Sequence, residues 1–242
     1  MTETTRKIVV VGDGMVGKTA LLSAFVNGAF QDYYIPTVFE TSAKEVELPD
    51  GRHLILGLWD TGGQEEFDQI RQLAYPGASL ILLCYAVDCP TSLENIVHTW
   101  LDEVKCYCPH IPLILVGCKA DKRTVISPGK SNNLTVNPSQ TSLIDPTDVE
   151  RVSKQIGAQI VIECSALTRS NVNCIFELAA RIILDIEKEN MRSSKFRNIL
   201  PIHRKKSISN GVVTGHSVIT RRSSELKRRI SSSNYFCFLR RR

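Results

Sequence analysis

The feature that most limits what this chain can fold into is the run Gly12-Asp13-Gly14-Met15-Val16-Gly17-Lys18-Thr19, entered directly from the apolar segment Lys7 to Val11. Its G-x-x-x-x-G-K-[ST] spacing has a physical purpose. Glycine-permitted turns aim successive backbone N–H groups at phosphate oxygens, the helix that follows adds the positive end of its dipole, and the lysine reaches the outer phosphates. Such a loop needs a buried strand before it and a helix after it, so the start of the chain is committed to a strand–loop–helix unit. The candidate phosphate-binding residues are Asp13, Gly14, Val16, Gly17, Lys18, Thr19 and Ala20, with the Thr19 hydroxyl available to Mg²⁺.

The rest of the row extends that unit. A helical pattern from Gly17 stops near Gly28, a C-cap residue. The segments Lys44 to Leu48 and Leu54 to Trp59 flank the turn Pro49-Asp50-Gly51. Further apolar runs at Leu80 to Val87, Leu113 to Gly117 and Ile160 to Glu163 bring the count to six strands, five of them suited to a parallel core. Val172, Ile175, Phe176, Ala179, Ile182, Ile183 and Ile186 recur at the spacing of one buried helical stripe, which predicts a last helix ending near Met191.

Charge divides the chain in the same place. Residues 1 to 191 hold 16 Lys and Arg against 24 Asp and Glu, whereas residues 192 to 242 hold 14 against one. An acidic body with a basic arm points to an extension that seeks an anionic surface. In that arm apolar periodicity gives way to Ser, Asn, Gly and Arg, so the expected organisation is a globular domain over 1–191 and a disordered tail over 192–242. The eight cysteines lack the spacing of a zinc site or the density of a disulfide scaffold, and the pair Cys106 and Cys108 has no partner pair at ligand spacing. With no apolar leader at the N-terminus and no run of about 18 apolar residues, the expected location is the cytosol or the cytoplasmic face of a membrane.

The phosphate loop alone does not choose between ATP and GTP, or between a kinase, a motor and a switch. The segment Cys118-Lys119-Ala120-Asp121, after the fifth apolar run, narrows the choice. A carboxylate there can accept two hydrogen bonds from guanine N1–H and its exocyclic amine, an edge that adenine does not present, while the Lys119 stem lies over the ring. Ser165-Ala166-Leu167, after the last strand, can offer a backbone N–H to the guanine carbonyl.

Between these segments stand Tyr34-Ile35-Pro36-Thr37-Val38-Phe39-Glu40 and Trp59-Asp60-Thr61-Gly62-Gly63-Gln64-Glu65. Together with Cys108 to Gly117 and Glu163 to Thr168, they make the chain resemble the small GTPases over roughly residues 6 to 190, and the Rho branch in particular. The long span from Asp121 to Ser165 also resembles Rho proteins, which carry an insert there. The resemblance implies a P-loop NTPase α/β fold with a six-stranded, mostly parallel sheet flanked by helices on both faces. It implies that Thr19 and Thr37 bind Mg²⁺, that Asp60 holds it through water, and that Thr37 and the Gly63 N–H sense the γ-phosphate. Gln64 would orient the attacking water, Phe30 pack on the base and Tyr34 close over the phosphates. It further implies effector contacts at Val38, Phe39 and Glu40, and switch loops over about 30–42 and 61–77. With no arginine in the first switch placed as a finger, hydrolysis of GTP to GDP and phosphate should be slow and accelerated by a GAP.

Three features depart from the Rho pattern. Cys118 replaces Asn or Thr, a weaker hydrogen-bonding group. Gly62 replaces Ala, which adds backbone freedom. The insert from Thr124 to Asp148 is poor in helix formers and is expected to be an irregular surface loop. Set against a cycling switch is a scaffold that holds GTP and hydrolyses it poorly. The tail departs too, since Rho proteins usually end with a Cys four residues from the terminus and Cys237 stands six from it, so prenylation is not expected. Cys237 is instead a candidate for S-acylation, beside basic clusters whose residues each contribute on the order of 1 kcal/mol near an anionic leaflet. Membrane, nucleic acid and solvent remain the three readings of that tail, with membrane favoured and nucleic acid unlikely.

Overall fold

The computed structural model describes residues 5–30, 36–124 and 143–197. In chain order the elements are β1 (Arg6–Val11), α1 (Lys18–Val26), β2 (Phe39–Glu47), β3 (His53–Thr61), α2 (Asp68–Gln72), β4 (Leu80–Ala86), α3 (Pro90–Asn95), α4 (Leu101–Tyr107), β5 (Leu113–Cys118), α5 (Asp121–Thr124), α6 (Pro146–Ile156), β6 (Ile160–Glu163) and α7 (Val172–Arg197). The sheet runs β2-β3-β1-β4-β5-β6; only the β2–β3 pair is antiparallel, as the Pro49-Asp50-Gly51 turn requires. Gly51 takes the positive φ of +77° that this turn demands.

The two faces of the sheet can be followed from β1. Ile8 and Val10 point into a core shared with Leu21 and Phe25 of α1 and Phe176 and Ile183 of α7. Val9 and Val11 point the other way, toward Trp100, Val104, Val149 and Val152. Strands β1 and β4 are buried on both faces, and so read as continuous apolar runs rather than as an alternation. Phe25 and Phe176 stack with ring centroids 3.7 Å apart, fixing the α1–α7 contact.

Three expectations are corrected. The last helix does not end near Met191 but continues to Arg197, and the contact pattern divides the chain after Ser193. The final residues of the 124–148 stretch are not loop: Asp145 caps α6 by accepting from the Thr147 N–H, and Pro146 opens the first turn, where its missing N–H is not needed. Of the two expected switch loops, 39–42 are already strand β2, and 65–72 fold into a 3₁₀ turn (Glu65–Phe67) followed by α2. Tyr34, residues 125–142 of the insert, Cys237 and the tail's basic clusters lie outside the described residues.

Candidate nucleotide-binding site

The carboxyl ends of β1, β3 and β5 open onto one cavity of about 590 Å³, the size of a small-molecule pocket. A parallel sheet brings its strand ends, and therefore its loops, to one edge, with the switch in strand order at β1. Gly14, Gly17, Lys18, Thr19 and Ala20 line one wall. Phe30, Cys118, Lys119, Asp121, Ala166 and Leu167 line another, and Thr37, Glu40, Gly62, Gly63 and Gln64 stand opposite.

Lys18 is 6% exposed, and its ammonium donates to the carbonyls of Gly12 at 2.7 Å and Asp13 at 2.8 Å. Burial pulls its pKa down, opposed by nearby Asp60 and Asp13. A buried cation whose hydrogen bonds among the described residues go to neutral carbonyls is poised for an anionic partner in the same cavity.

The metal expectation can be tested on the side chains. Thr19 and Thr37 bring their hydroxyl oxygens within 2.7 Å of one another, although 18 residues separate them. Beside them Asp60 is 4% exposed, and neither carboxylate oxygen has a hydrogen-bond partner among the described residues. Burial pushes its pKa up, offset in part by the Thr19 hydroxyl and the Lys18 ammonium. Two hydroxyls and an unpartnered buried carboxylate form an all-oxygen donor set, which fits Mg²⁺.

At the base end, Asp121 Oδ1 accepts from the Ser165 hydroxyl at 2.5 Å, which orients the carboxylate. The Ser165 N–H is already bonded to Ser170 O at 3.1 Å, so the donor left for a guanine carbonyl belongs to Ala166 or Leu167. Lys119 adopts the left-handed φ of 63° and pairs with Asp88 at 3.9 Å. Phe30 is 39% exposed on the same cavity, as a ring reserved for a flat ligand would be.

Some expected residues serve otherwise than by their side chains. Val16 is buried in the core, so only its backbone can reach a phosphate. Asp13 turns its carboxylate away from the cavity, accepting from Trp100 Nε1 at 2.7 Å and Asn95 Nδ2 at 2.8 Å; it ties the phosphate loop to the helical segment behind it. Phe39 sits edge-on against Trp59 at 5.2 Å, whereas Val38 and Glu40 are exposed. Gly62 is not a point of freedom. A Cβ there would lie 2.5 Å from the Phe67 ring and 2.6 Å from the Thr37 carbonyl, and its N–H donates to Val38 O at 3.2 Å. The two switches touch at this residue because it has no side chain. Gly63 likewise passes so close to the phosphate loop that a Cβ would lie 2.3 Å from Gly12 O.

No sequence motif marks Arg71. It is 3% exposed, and its guanidinium forms a two-point pair with Glu103 at 2.7 and 2.8 Å. It also bonds Asp68 at 2.5 Å and Gly62 O at 2.8 Å, and lies 4.6 Å above the Trp100 ring. Tyr75 completes the cluster by donating to Glu103 at 2.6 Å. Glu103 and the half-exposed Asp68 raise the arginine's pKa further above its already high value despite desolvation. Only the fold brings 71 to 103, so no local motif announced the pair.

These features define a class: an α/β protein with a glycine-rich strand-to-helix loop, an oxygen-donor site beside it and an oriented carboxylate on the same cavity. Residues 7–185 match the Ras family. The chain is 44% identical over 180 residues to the GTP-binding protein rho5 of Schizosaccharomyces pombe, spanning 74% of this chain and 88% of that one. It is 42% identical over 193 residues to the GTP-binding protein RHO1 of Candida albicans, 80% and 95% of the two chains. It is also 42% identical over 191 residues to RHO1 of Saccharomyces cerevisiae, 78% and 89% of the two chains. The chain belongs to the Ras family and is a Rho-type small GTPase.

Proposed function

We infer that this chain is a GDP/GTP switch that hydrolyses GTP with partner assistance and signals through the order of its two switch segments. The observation that carries the reading is the placement of Lys18, Thr19, Thr37 and Asp121 on one cavity, with the buried Asp60 carboxylate beside the two threonines. Mg²⁺, held by Thr19, Thr37 and Asp60, supplies charge neutralisation for the phosphates when bound. Lys18 neutralises the outer phosphates, the Gly63 N–H and Thr37 register the terminal one, and Gln64 orients water for in-line attack. Val38 and Glu40, exposed beside the cavity, present its state to effectors. Loss of the terminal phosphate releases residues held on either side of Gly62.

Rho-type exchange factors and GAPs are the expected regulators, and cytoskeletal or polarity signalling the expected output. The body of the protein works in the cytosol, with the basic residues of 192–242 drawing it to an anionic membrane face, durably if Cys237 carries a lipid.

The test is nucleotide co-purification followed by single-turnover GTP hydrolysis, with and without a Rho-type GAP. Tightly held GDP or GTP, slow intrinsic turnover and acceleration of at least about 10³-fold by the GAP are expected. Gln64→Leu should remove that acceleration. A protein that holds neither nucleotide in the presence of magnesium would overturn the reading.

A further inference from the structure

The base end of the cavity has a floor made of thiols. Cys118 is 3% exposed and Cys164 1% exposed, both belong to the same core cluster, and both line the nucleotide cavity. Their relation follows from strand register. Gly117 pairs with Glu163 in the parallel β5–β6 ladder, so Cys118 and Cys164 are the next residues on adjacent strands. The Cys164 N–H donates to Gly117 O at 2.7 Å, holding that adjacency past the end of β6. Laterally adjacent strands put their Cα atoms about 5 Å apart, inside the window a disulfide needs. Cys84, on the other side, pairs with Val116 while Cys118 pairs with Ala86. That two-residue offset places it about 8 Å away, outside the window.

We propose that Cys118 and Cys164 form a peroxide-oxidisable thiol pair in the floor of the guanine pocket, buried apart from the cavity they line, and that a nucleotide filling that cavity shields them from oxidant. The pair rests on the nucleotide-binding reading for its gating, but its chemistry does not. Cys118 is the nucleophile. The neighbouring Cys164 and Cys84 thiols and the Lys18 and Lys119 ammonium groups push its pKa down against burial, which favours its thiolate. The same contacts, with burial, hold Cys84 and Cys164 as thiols.

The chemistry takes two steps with hydrogen peroxide as oxidant. The Cys118 thiolate attacks one peroxide oxygen: an S–O bond forms, the O–O bond breaks and hydroxide leaves, so sulfur loses two electrons to the peroxide. The Cys164 sulfur, its proton passing to solvent, then attacks the Cys118 sulfenic acid: an S–S bond forms and the S–O bond breaks with loss of water. The disulfide pulls the Cys118 sulfur away from the phosphate loop. A Cβ on Gly17 would lie 3.3 Å from Cys118 Cβ, and Ser165, which orients Asp121, follows Cys164 directly, so both ends of the nucleotide contact shift.

The experiment uses the full chain, reduced, then either stripped with EDTA or loaded with GDP and Mg²⁺, and exposed to hydrogen peroxide. Free thiols are blocked and the peptides read by mass spectrometry. The stripped protein should yield a Cys118–Cys164 linked peptide, at least 10-fold more than the GDP-loaded protein. Cys164→Ser should stop the reaction at a Cys118 sulfenic acid that dimedone traps, and oxidised protein should release a fluorescent GDP analogue at least 10-fold faster. The inference is overturned if stripped wild-type protein shows neither linked peptide nor dimedone adduct while exposed Cys106 is oxidised. Linkage of equal yield in both samples would overturn the gating. GDP retention by the reduced protein, measured on the same preparation, reports separately on the nucleotide reading.

Discussion

Removing the Arg71 guanidinium is the perturbation with the largest worked consequence. Arg71→Ala would leave Glu103, whose side chain is 16% exposed, with the Tyr75 hydroxyl as its one side-chain partner among the described residues, and would strip the Gly62 carbonyl of the Arg71 donor. Breaking a buried pair from one side costs about 3–5 kcal/mol, because the remaining charge stays desolvated. For a domain of this size about 1 kcal/mol shifts the melting temperature by roughly 2–4 °C, so the fall should be about 6–20 °C. The double variant Arg71→Met with Glu103→Leu removes both charges and fills the space, and should recover most of that loss. The pair contributes as a pair, with a coupling energy of about 0.5–3 kcal/mol. Thermal melts of the four proteins in the double-mutant cycle measure this. Hydrogen exchange over residues 62–73 should rise in Arg71→Ala, since its anchor is gone. A loss below about 1 kcal/mol in Arg71→Ala, or additivity across the cycle, would refute the claim that this arginine pins the second switch to the helix behind it.

Other outcomes follow from the site. Asp121→Ala removes an ionised acceptor of two hydrogen bonds at about 1.5–3 kcal/mol each, so GDP affinity measured by calorimetry should drop at least about 100-fold. Asp13→Ala should lower stability by about 1–3 kcal/mol through the lost Trp100 and Asn95 bonds, yet change GDP affinity much less than Asp121→Ala. Asp60 carries a pH signature. Its folded-state pKa is raised, so the cost of its buried charge is absent below the unfolded value of 3.8, grows as pH rises and is complete above the folded pKa. In EDTA at neutral pH, Asp60→Asn should therefore be more stable than wild type by on the order of 1–3 kcal/mol, a gap that closes as pH falls. Adding Mg²⁺ with nucleotide should reverse the order, since the variant lacks the carboxylate that holds the ion; melts in the two buffers check both halves.

The sequence by itself determined the sheet and the ligand. Six apolar runs, one Pro-Asp-Gly turn and an eight-residue phosphate loop fix strand number, the antiparallel edge and the mouth of β1, because each depends on local spacing. The place of Asp121 on the cavity was legible for the same reason: it stands a fixed distance after a buried strand. What spacing could not say is how side chains distant in sequence are used. Asp13 sits inside the phosphate motif yet faces Trp100, 87 residues away. No local spacing marks Arg71, yet it is buried against Glu103. Gly62 read as slack in a loop, whereas packing makes it the point where the two switches touch. Cys118 and Cys164, 46 positions apart in the row, become neighbours only when β5 and β6 align. Local patterns decide backbone hydrogen bonding and therefore the elements. Desolvation and close contact decide the roles of polar side chains, and those exist only once the chain has closed on itself.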